Sequence, residues 1–311
     1  MEPVIQIGGM CKDYRVGFWG RRVTVLRDLT LAVQAGETFG YLGPNGAGKS
    51  TTIKLLLGLI RPTAGTGQVL GRTLGDASVR SRIGFLPENP SFYEYLSGPE
   101  FLTYCGRLLG VSRGVLRDQV PALLDEVGLG RTARQQIRKF SKGMVQRLGL
   151  AQALLGDPKL LILDEPMSGL DPLGRKEVRD LMLRQRVAGR TVFFSTHILP
   201  DVEMICDRVG ILVNGRLVKS GPIHELLSQE LESIEVTATA VPPATLSAVE
   251  RLALSPVIVQ EGRVMFRLRG ETELEAALAL LVEAKSRVLS VVPQRRSLEE
   301  IFLEASREAT A

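Results

Sequence analysis

A chain of 311 residues, 44% of them hydrophobic, is long enough to bury one large core or two smaller ones. Its 39 basic and 34 acidic residues are scattered along the chain without a basic block, so nucleic acid is not an expected partner. The three cysteines are far apart and in no metal-binding spacing, which indicates neither a disulfide framework nor a zinc site. No stretch approaches about 18 consecutive apolar residues, and we expect a chain that neither crosses a membrane nor is exported.

The first 35 residues carry a strand pattern. Residues 4–35 are predicted to form two antiparallel strands joined by a loop. Tyr14 closes the first strand, where its ring is placed to stack on a nucleotide base. An ordinary packed tyrosine explains this position equally well.

The stretch 38–60 runs from an apolar strand through GPNGAGKS into an apolar-striped helix, as a phosphate-binding loop requires. The glycines let backbone N–H groups curl around an anion, and the helix directs its positive end to the same place. Lys49 is expected to reach the β- and γ-phosphates of the nucleotide, and the Ser50 hydroxyl to bind Mg²⁺. The predicted nucleotide-binding residues of the loop are Pro44, Asn45, Gly46, Ala47, Gly48, Lys49, Ser50 and Thr51.

Other apolar segments also end in polar groups that handle phosphate, metal or water. Glu88 follows IGFLP, Asp164 and Glu165 end the uniformly apolar run LLIL, and His197 follows TVFFST. A parallel sheet that binds its ligand beyond the carboxyl ends of its strands produces this pattern. Asp164 would then hold Mg²⁺ with Ser50, Glu165 would orient or deprotonate a water molecule, and His197 would contact the γ-phosphate. A kinase would need a second substrate site, and no motif indicates one.

The segment between these strands is predicted to be mainly helical. Residues 92–127 show helical apolar spacing, and the aromatic residues crowded at their start are by default a small helical core. Ser141 precedes another helical pattern and is a predicted N-cap, so this helix too presents unpaired N–H groups at a defined place.

The last third of the chain lacks the glycine-rich and strand-end motifs described above. Asn214-Gly215 between two apolar runs predicts a hairpin, and residues 224–232 are predicted to form a short polar helix. From there to the end, strand and helix patterns mix without a catalytic constellation, and Ser297-Leu298-Glu299-Glu300 is a capping box that opens a final helix. We expect a separate α+β module of about 80 residues.

Taken together, these motifs resemble the nucleotide-binding subunit of an ATP-binding-cassette (ABC) transporter. GPNGAGKST resembles the Walker A loop, LLILDEP the Walker B strand, residues 168–171 the D-loop, STH the switch histidine, and FSKGM at 140–144 the family signature. The resemblance implies an α/β fold, a P-loop NTPase cassette over 1–230 with an antiparallel β subdomain and a helical subdomain at about 89–155. The α+β module at 231–311 resembles the C-terminal extension of the ABC-2 export subfamily.

The resemblance also implies a mechanism and partners. Two cassettes, most simply a homodimer, would clamp Mg²⁺ and ATP between the P-loop of one and the Ser141, Gly143 and Asp171 of the other. Lys49, Glu165 and His197 would be the catalytic groups of an ATPase that drives a separate membrane permease, with the subunit cytoplasmic and peripheral on the inner face of the membrane. The aromatic stretch after Glu88 matches the region that receives the permease's coupling helix.

An alternative is a soluble ABC ATPase acting on nucleic acid or ribosomes. Such relatives usually carry two cassettes or long coiled-coil insertions, and this chain has neither, so no nucleic acid is expected. Three residues depart from the common family pattern. Glu88 stands where a glutamine usually binds Mg²⁺ and water, and its carboxylate can still bind the metal. Lys142 stands where the signature has its first glycine, and Met144 where it has a glutamine. None of these changes removes the Ser141 hydroxyl or the Gly143 amide.

Overall fold

The computed structural model describes residues 2–17, 20–132, 134–227, 231–295 and 297–308. They form two compact units, one comprising the residues up to Ile223 with those from Glu304 onward, the other His224–Leu303. Over the described ranges, no helix has both the length and the apolar character needed to span a bilayer.

The first unit contains two sheets, and the strands of both are named in chain order. They are β1 (Pro3–Val16), β2 (Arg21–Gln34), β3 (Thr38–Leu42), β4 (Ala64–Val69), β5 (Arg72–Thr73), β6 (Ile83–Leu86), β7 (Leu160–Asp164), β8 (Thr191–Thr196), β9 (Arg208–Val213) and β10 (Arg216–Pro222). One sheet is antiparallel in the order β2-β1-β4-β5. The other has the order β10-β9-β3-β8-β7-β6 and is parallel except for β10.

Helices follow the strands of the parallel sheet. They are α1 (Lys49–Leu56), α2 (Gly98–Leu108), α3 (Arg113–Glu126), α4 (Lys142–Ala153), α5 (Pro172–Val187), α6 (Leu199–Ile205) and α7 (Ile223–Leu226). The uniformly apolar strand patterns have their expected cause, because β3, β7 and β8 are buried along their whole lengths. A shared core joins the two sheets, with Phe39 stacked on Phe193 at a centroid distance of 5.8 Å.

This topology places the functional motifs at one edge. Strands β3, β8, β7 and β6 lie side by side in that order and are all parallel, so their carboxyl ends lie on the same side of the sheet. The phosphate loop, Glu88, the Asp164-Glu165 pair and His197 all follow those ends. The sheet geometry predicted from the apolar runs is therefore confirmed.

The second unit is an antiparallel sheet with helices on one face. Its elements are β11 (Leu231–Thr239), α8 (Pro243–Leu252), β12 (Ile258–Gln260), β13 (Arg263–Leu268), α9 (Glu271–Glu283), β14 (Arg287–Arg295) and α10 (Leu298–Glu308), the last of which extends past Leu303. The strand order β12-β13-β11-β14 with this succession of elements is the βαββαβ arrangement of ferredoxin-like folds. Its core includes Val236, Phe266 and Leu281.

Two local predictions need correction. The polar helix predicted over 224–232 is wrong, because α7 ends at Leu226 and β11 begins at Leu231, where pairing with β14 outweighs helix propensity. The aromatic residues after Glu88 are only in part a helical core. Phe101 is buried against Phe92, whereas Tyr93, Tyr95 and Tyr104 are exposed.

Candidate active site

The phosphate loop connects β3 to α1, and glycine is required at its last position. Gly48 is the N-cap of α1 with φ 111°, a conformation that side-chain-bearing residues rarely adopt. A Cβ added there would lie 2.7 Å from Leu26 Cδ2 and 3.2 Å from the Val25 backbone oxygen, so a larger residue would displace the side chain or backbone of β2. The sequence Gly-Lys-Ser thus begins the helix where an anion is to be bound.

Lys49 points back into the loop. Its Nζ donates hydrogen bonds to the backbone oxygens of Gly43 at 2.7 Å and Pro44 at 3.3 Å. The same ammonium lies 3.2 Å from Glu165 Oε1, and both side chains are almost wholly buried. A positive charge is therefore held at the centre of the loop, next to a carboxylate from β7's end.

Glu165 connects this lysine to the histidine predicted from the sequence. Glu165 Oε2 lies 2.9 Å from His197 Nδ1, while Oε1 forms an ion pair with Lys49 in an orientation that makes no hydrogen bond. The residue has φ 48°, so its backbone is in the left-handed region. The structure thus brings all three predicted catalytic residues into one chain of contacts.

Asp164 is held by a residue that sequence reasoning missed. Ser195 Oγ donates a hydrogen bond to Asp164 Oδ1 at 2.5 Å, and both residues are buried. The available signal was the Ser-Thr pair immediately before His197, at the end of a buried strand. In the absence of a known strand order, that signal did not identify Asp164 as its partner.

A cavity of about 400 Å³ lies over the loop. Its lining consists of Val25, Pro44, Asn45, Gly46, Gly48, Lys49, Ser50, Thr51, Glu88 and Glu165. Val25 was not predicted. Tyr14, Ala47, Asp164 and His197 lie outside the lining. Tyr14 is half-buried opposite Val23, with Lys12 Nζ 5.1 Å from its ring centroid, and base stacking by this residue stays a prediction.

The predicted metal ligands form a set that fits Mg²⁺. Ser50 and Glu88 line the cavity, and Asp164 directly precedes Glu165, which also lines it. A hydroxyl and two carboxylates offer only oxygen atoms to a metal. Within the described part of the chain, no three His, Cys, Asp or Glu side chains are grouped as a metal site. Mg²⁺ typically takes one or two protein carboxylates and completes its coordination with phosphate and water oxygens. A small oxygen set beside a phosphate loop is therefore the appropriate donor set for this ion.

A second group of predicted residues lines a different cavity. Ser141 caps α4 by accepting a hydrogen bond from the Met144 N–H at 3.3 Å, and Asp171 caps α5 by accepting one from the Gly174 N–H at 3.0 Å. Both residues and Gly143 line a cavity of about 400 Å³ that shares no lining residue with the first. Predicted in-trans residues therefore lie apart from the phosphate loop of their own chain.

Two contacts connect the signature helix to the strand-end loops. Gln146 is buried and donates from Nε2 to the backbone oxygen of Pro166 at 2.9 Å, directly after Glu165. Lys142 extends over Gly169, since a Cβ added to that glycine would lie 2.1 Å from Lys142 Nζ. Neither contact was predicted, because both depend on how α4 packs against the end of β7.

Comparison with known proteins identifies the family. Residues 26–168 match the ABC transporter family profile. An uncharacterized ABC transporter ATP-binding protein of Synechocystis is 43% identical over 98% of this chain and 85% of its own length. The Nod factor export ATP-binding protein I of Ralstonia nicotianae is 33% identical over 97% of this chain and 93% of its own length.

A solved structure gives the same assignment. It is described as the ATP-binding subunit of an ABC transporter, is 35% identical and aligns with a TM-score of 0.64 over 72% of this chain and 91% of its own. These matches confirm the cassette fold and do not favour the alternative of a nucleic-acid or ribosome-directed ATPase. The chain belongs to the ABC transporter family, as one of its ATP-binding subunits.

Proposed function

We propose that this chain hydrolyses ATP and that its ATP-driven dimerisation powers a separate membrane permease in an exporter. The observation that carries the proposal is the contact chain Lys49–Glu165–His197 at the mouth of the phosphate loop. It places a cation for phosphate, a carboxylate for water and an imidazole side by side, which are the groups that ATP hydrolysis requires.

Each residue has a distinct task in this proposal. Lys49 and the loop amides neutralise the β- and γ-phosphates, and Glu165 accepts or directs the proton of the attacking water. His197 holds that water and the γ-phosphate in line. Ser50, Asp164 and Glu88 hold Mg²⁺, which when bound neutralises charge on the phosphate oxygens.

The site of one chain is completed by a second copy. Ser141, Gly143 and Asp171 lie around a cavity distinct from the phosphate loop, at the N-termini of two helices whose N–H groups attract anions. A homodimer arranged head to tail brings that cavity to the γ-phosphate bound by the other copy. ATP then stabilises the closed dimer, and hydrolysis releases it.

The transport role is supported by an exposed aromatic surface and by sequence similarity to an export protein. Tyr93, Tyr95 and Tyr104, which we call the tyrosine surface, are each more than 40% exposed, and the ring of Tyr93 contacts the rings of the other two. A cytoplasmic segment of a permease docks there in this proposal and holds the subunit at the inner face of the membrane. The relative named for Nod factor export supports an outward direction.

A glutamine at position 165 tests the catalytic proposal. Glu165→Gln keeps the size of the side chain but removes its charge and cannot accept a proton, so we expect retained ATP binding, a loss of turnover of about 100-fold or more, and a dimer trapped by nucleotide. Phosphate release and light scattering with Mg²⁺ and ATP measure these effects. Glu250→Gln, an exposed change on α8, is the matched control.

Two outcomes would contradict the proposal. Undiminished hydrolysis by Glu165→Gln removes Glu165 from the catalytic role. Failure of any integral membrane protein to co-purify with the full chain, when it is expressed together with a neighbouring membrane-protein gene, removes the transport role.

A further inference from the structure

One buried hydroxyl contacts both acidic residues of the site, the carboxylate of Asp164 and the backbone of Glu165. Ser195 is on β8, where it is aligned with Asp164 on β7 and with Tyr41 on β3. It is completely buried, at 0% exposure. A polar side chain at the centre of a sheet needs hydrogen-bond partners, and those it has here are specific.

The Ser195 hydroxyl is a bridge with a determined direction. Its Oγ accepts a hydrogen bond from the Glu165 N–H at 3.1 Å and donates one to Asp164 Oδ1 at 2.5 Å. A hydroxyl has a single hydrogen, and an N–H can only donate. The hydroxyl hydrogen must therefore point to Asp164. Ser195 thus holds both the side chain of Asp164 and the backbone of Glu165.

The backbone of Glu165 needs such support. Its φ of 48° is a left-handed conformation, which is unfavourable for a residue with a side chain and persists only when neighbouring contacts enforce it. The Glu165 N–H is directed at both the Ser195 carbonyl oxygen, at 3.2 Å, and the Ser195 hydroxyl. This turn determines where the carboxylate of Glu165 emerges, between Lys49 and His197.

We propose that Ser195 is a positioning residue. Its single hydroxyl orients the carboxylate of Asp164 for metal binding and the backbone of Glu165 so that its carboxylate can act on the attacking water. The inference rests on the proposed ATPase function and deepens it. Ser195 itself lines no part of the cavity over the phosphate loop, so its influence on nucleotide passes through the two acids. Because the two acids share this support, loss of the hydroxyl affects metal binding and turnover together.

Ser195→Ala removes the bridge and leaves the strand otherwise unchanged. We expect turnover to fall and the Mg²⁺ concentration at half-saturation to rise, each by about 10- to 100-fold, as is typical when a group that orients a metal ligand is removed. Binding of ATP without metal, measured calorimetrically in EDTA, should stay within about twofold, because Lys49 and the loop amides are retained. Ser195→Thr keeps the hydroxyl and should restore most of both properties.

Thr191→Val is a matched control on the same strand. Thr191 is buried, and its Oγ1 accepts the Gly36 N–H at 2.9 Å at the opposite end of β8. This change also removes a buried hydroxyl from β8, but it touches neither acid. It should lower thermal stability without moving the Mg²⁺ half-saturation.

The outcomes separate this inference from the proposed function. If the unmodified chain neither binds nor hydrolyses ATP with Mg²⁺, the proposed function fails and the positioning role fails with it. If the unmodified chain is active and Ser195→Ala matches Thr191→Val in turnover and in Mg²⁺ half-saturation, the hydroxyl is merely structural and the inference is overturned. Melting temperatures of all three variants show whether the added methyl group of Ser195→Thr destabilises the fold. If it does, the inference is judged on Ser195→Ala and Thr191→Val alone.

Discussion

Lys142 places a positive charge where the family signature has a glycine. Its side chain is exposed and lies over Gly169, beside the N-termini of α4 and α5. In the proposed dimer this charge approaches the γ-phosphate bound by the other copy. Exposed charges act over short distances and are screened by salt, so an effect of Lys142 should be recognisable by its dependence on ionic strength.

We therefore predict that Lys142→Gln raises the KM for ATP about threefold to tenfold at low salt, and less at 0.5 M NaCl. Hydrolysis measured against ATP concentration at the two salt concentrations tests this. Lys176→Gln, an exposed change on α5, should leave the KM unaltered. A KM for Lys142→Gln that is unchanged at low salt would show that the charge does not reach the nucleotide.

Cys105 should be a poorly reactive thiol. It lines a mainly apolar cavity with Ile83, Phe85 and Leu108, and burial raises the pKa of the Cys105 thiol to about 11. A raised pKa means that less thiolate is present at pH 8, by a factor on the order of a hundred compared with an ordinary cysteine. Iodoacetamide labelling followed by peptide mass spectrometry should show slow modification in the native protein and fast modification in urea. Equal rates in both conditions would refute the prediction.

At the residue scale, the sequence predicted identities better than contacts. Lys49 was predicted from the phosphate-loop motif, and Glu165 and His197 from strand-end positions, because parallel strands bring their carboxyl ends together whatever their order. Ser195 was missed because its role depends on β7 and β8 being neighbours, which the sequence does not state. Roles in trans for Ser141, Gly143 and Asp171 stay predictions, since they concern a second chain.

Helix α4 begins at Ser141, which caps the helix and, in our proposal, also contacts nucleotide. Ser141→Ala removes the hydroxyl that accepts the Met144 N–H, which should cost about 1 kcal/mol of stability. In the proposed dimer the same hydroxyl contacts the nucleotide bound by the other copy, so turnover should fall more than the loss of stability explains. ATP binding to the monomer, at concentrations too low for dimerisation, should be unchanged.

Ser112→Ala gives the appropriate comparison for this helix. Ser112 caps α3 in the same way, by accepting the Val115 N–H at 3.4 Å, and lies in neither cavity described above. Melting temperature and phosphate release would be measured for both variants. Equal losses of turnover would mean that Ser141 is only a helix cap.

Some elements were predictable because their signals are local. Asn214 and Gly215 both have positive φ, as the hairpin prediction between β9 and β10 requires. Ser297 and Glu300 form the predicted capping box of α10. The helix predicted over 224–232 is wrong at its C-terminal end because a long-range pairing, Leu231 opposite Arg295, places the chain there in a sheet.

At the scale of the whole molecule, the two compact units allow a division of labour to be tested. The phosphate loop, the Walker B acids and the signature helix all belong to the first unit. We predict that ATP binding survives when residues 232–303 are replaced by a short glycine-serine linker, since none of them lines the cavity over the loop. A second truncation, removing 232–311, also deletes the residues from Glu304 onward that group with the first unit.

Fluorescent nucleotide titration and melting temperature would be measured for both truncations. Wild-type affinity in the linker variant, with any loss confined to the 232–311 deletion, is the expected result. Loss of nucleotide binding in the linker variant, with the first unit still folded, would show that the second unit contributes to the site.

The sequence alone determined the fold class, the phosphate loop and the family, because each depends on short motifs whose backbone and charge requirements are local. It also determined that polar groups gather at one sheet edge, since buried apolar strands run parallel. Only the tertiary structure decided which strands are neighbours, so only it placed Ser195 between the two acids and Lys142 over the loop after β7. It likewise decided that Tyr93, Tyr95 and Tyr104 face outward, because exposure is a property of packing between distant segments and leaves no periodic trace in so short a stretch.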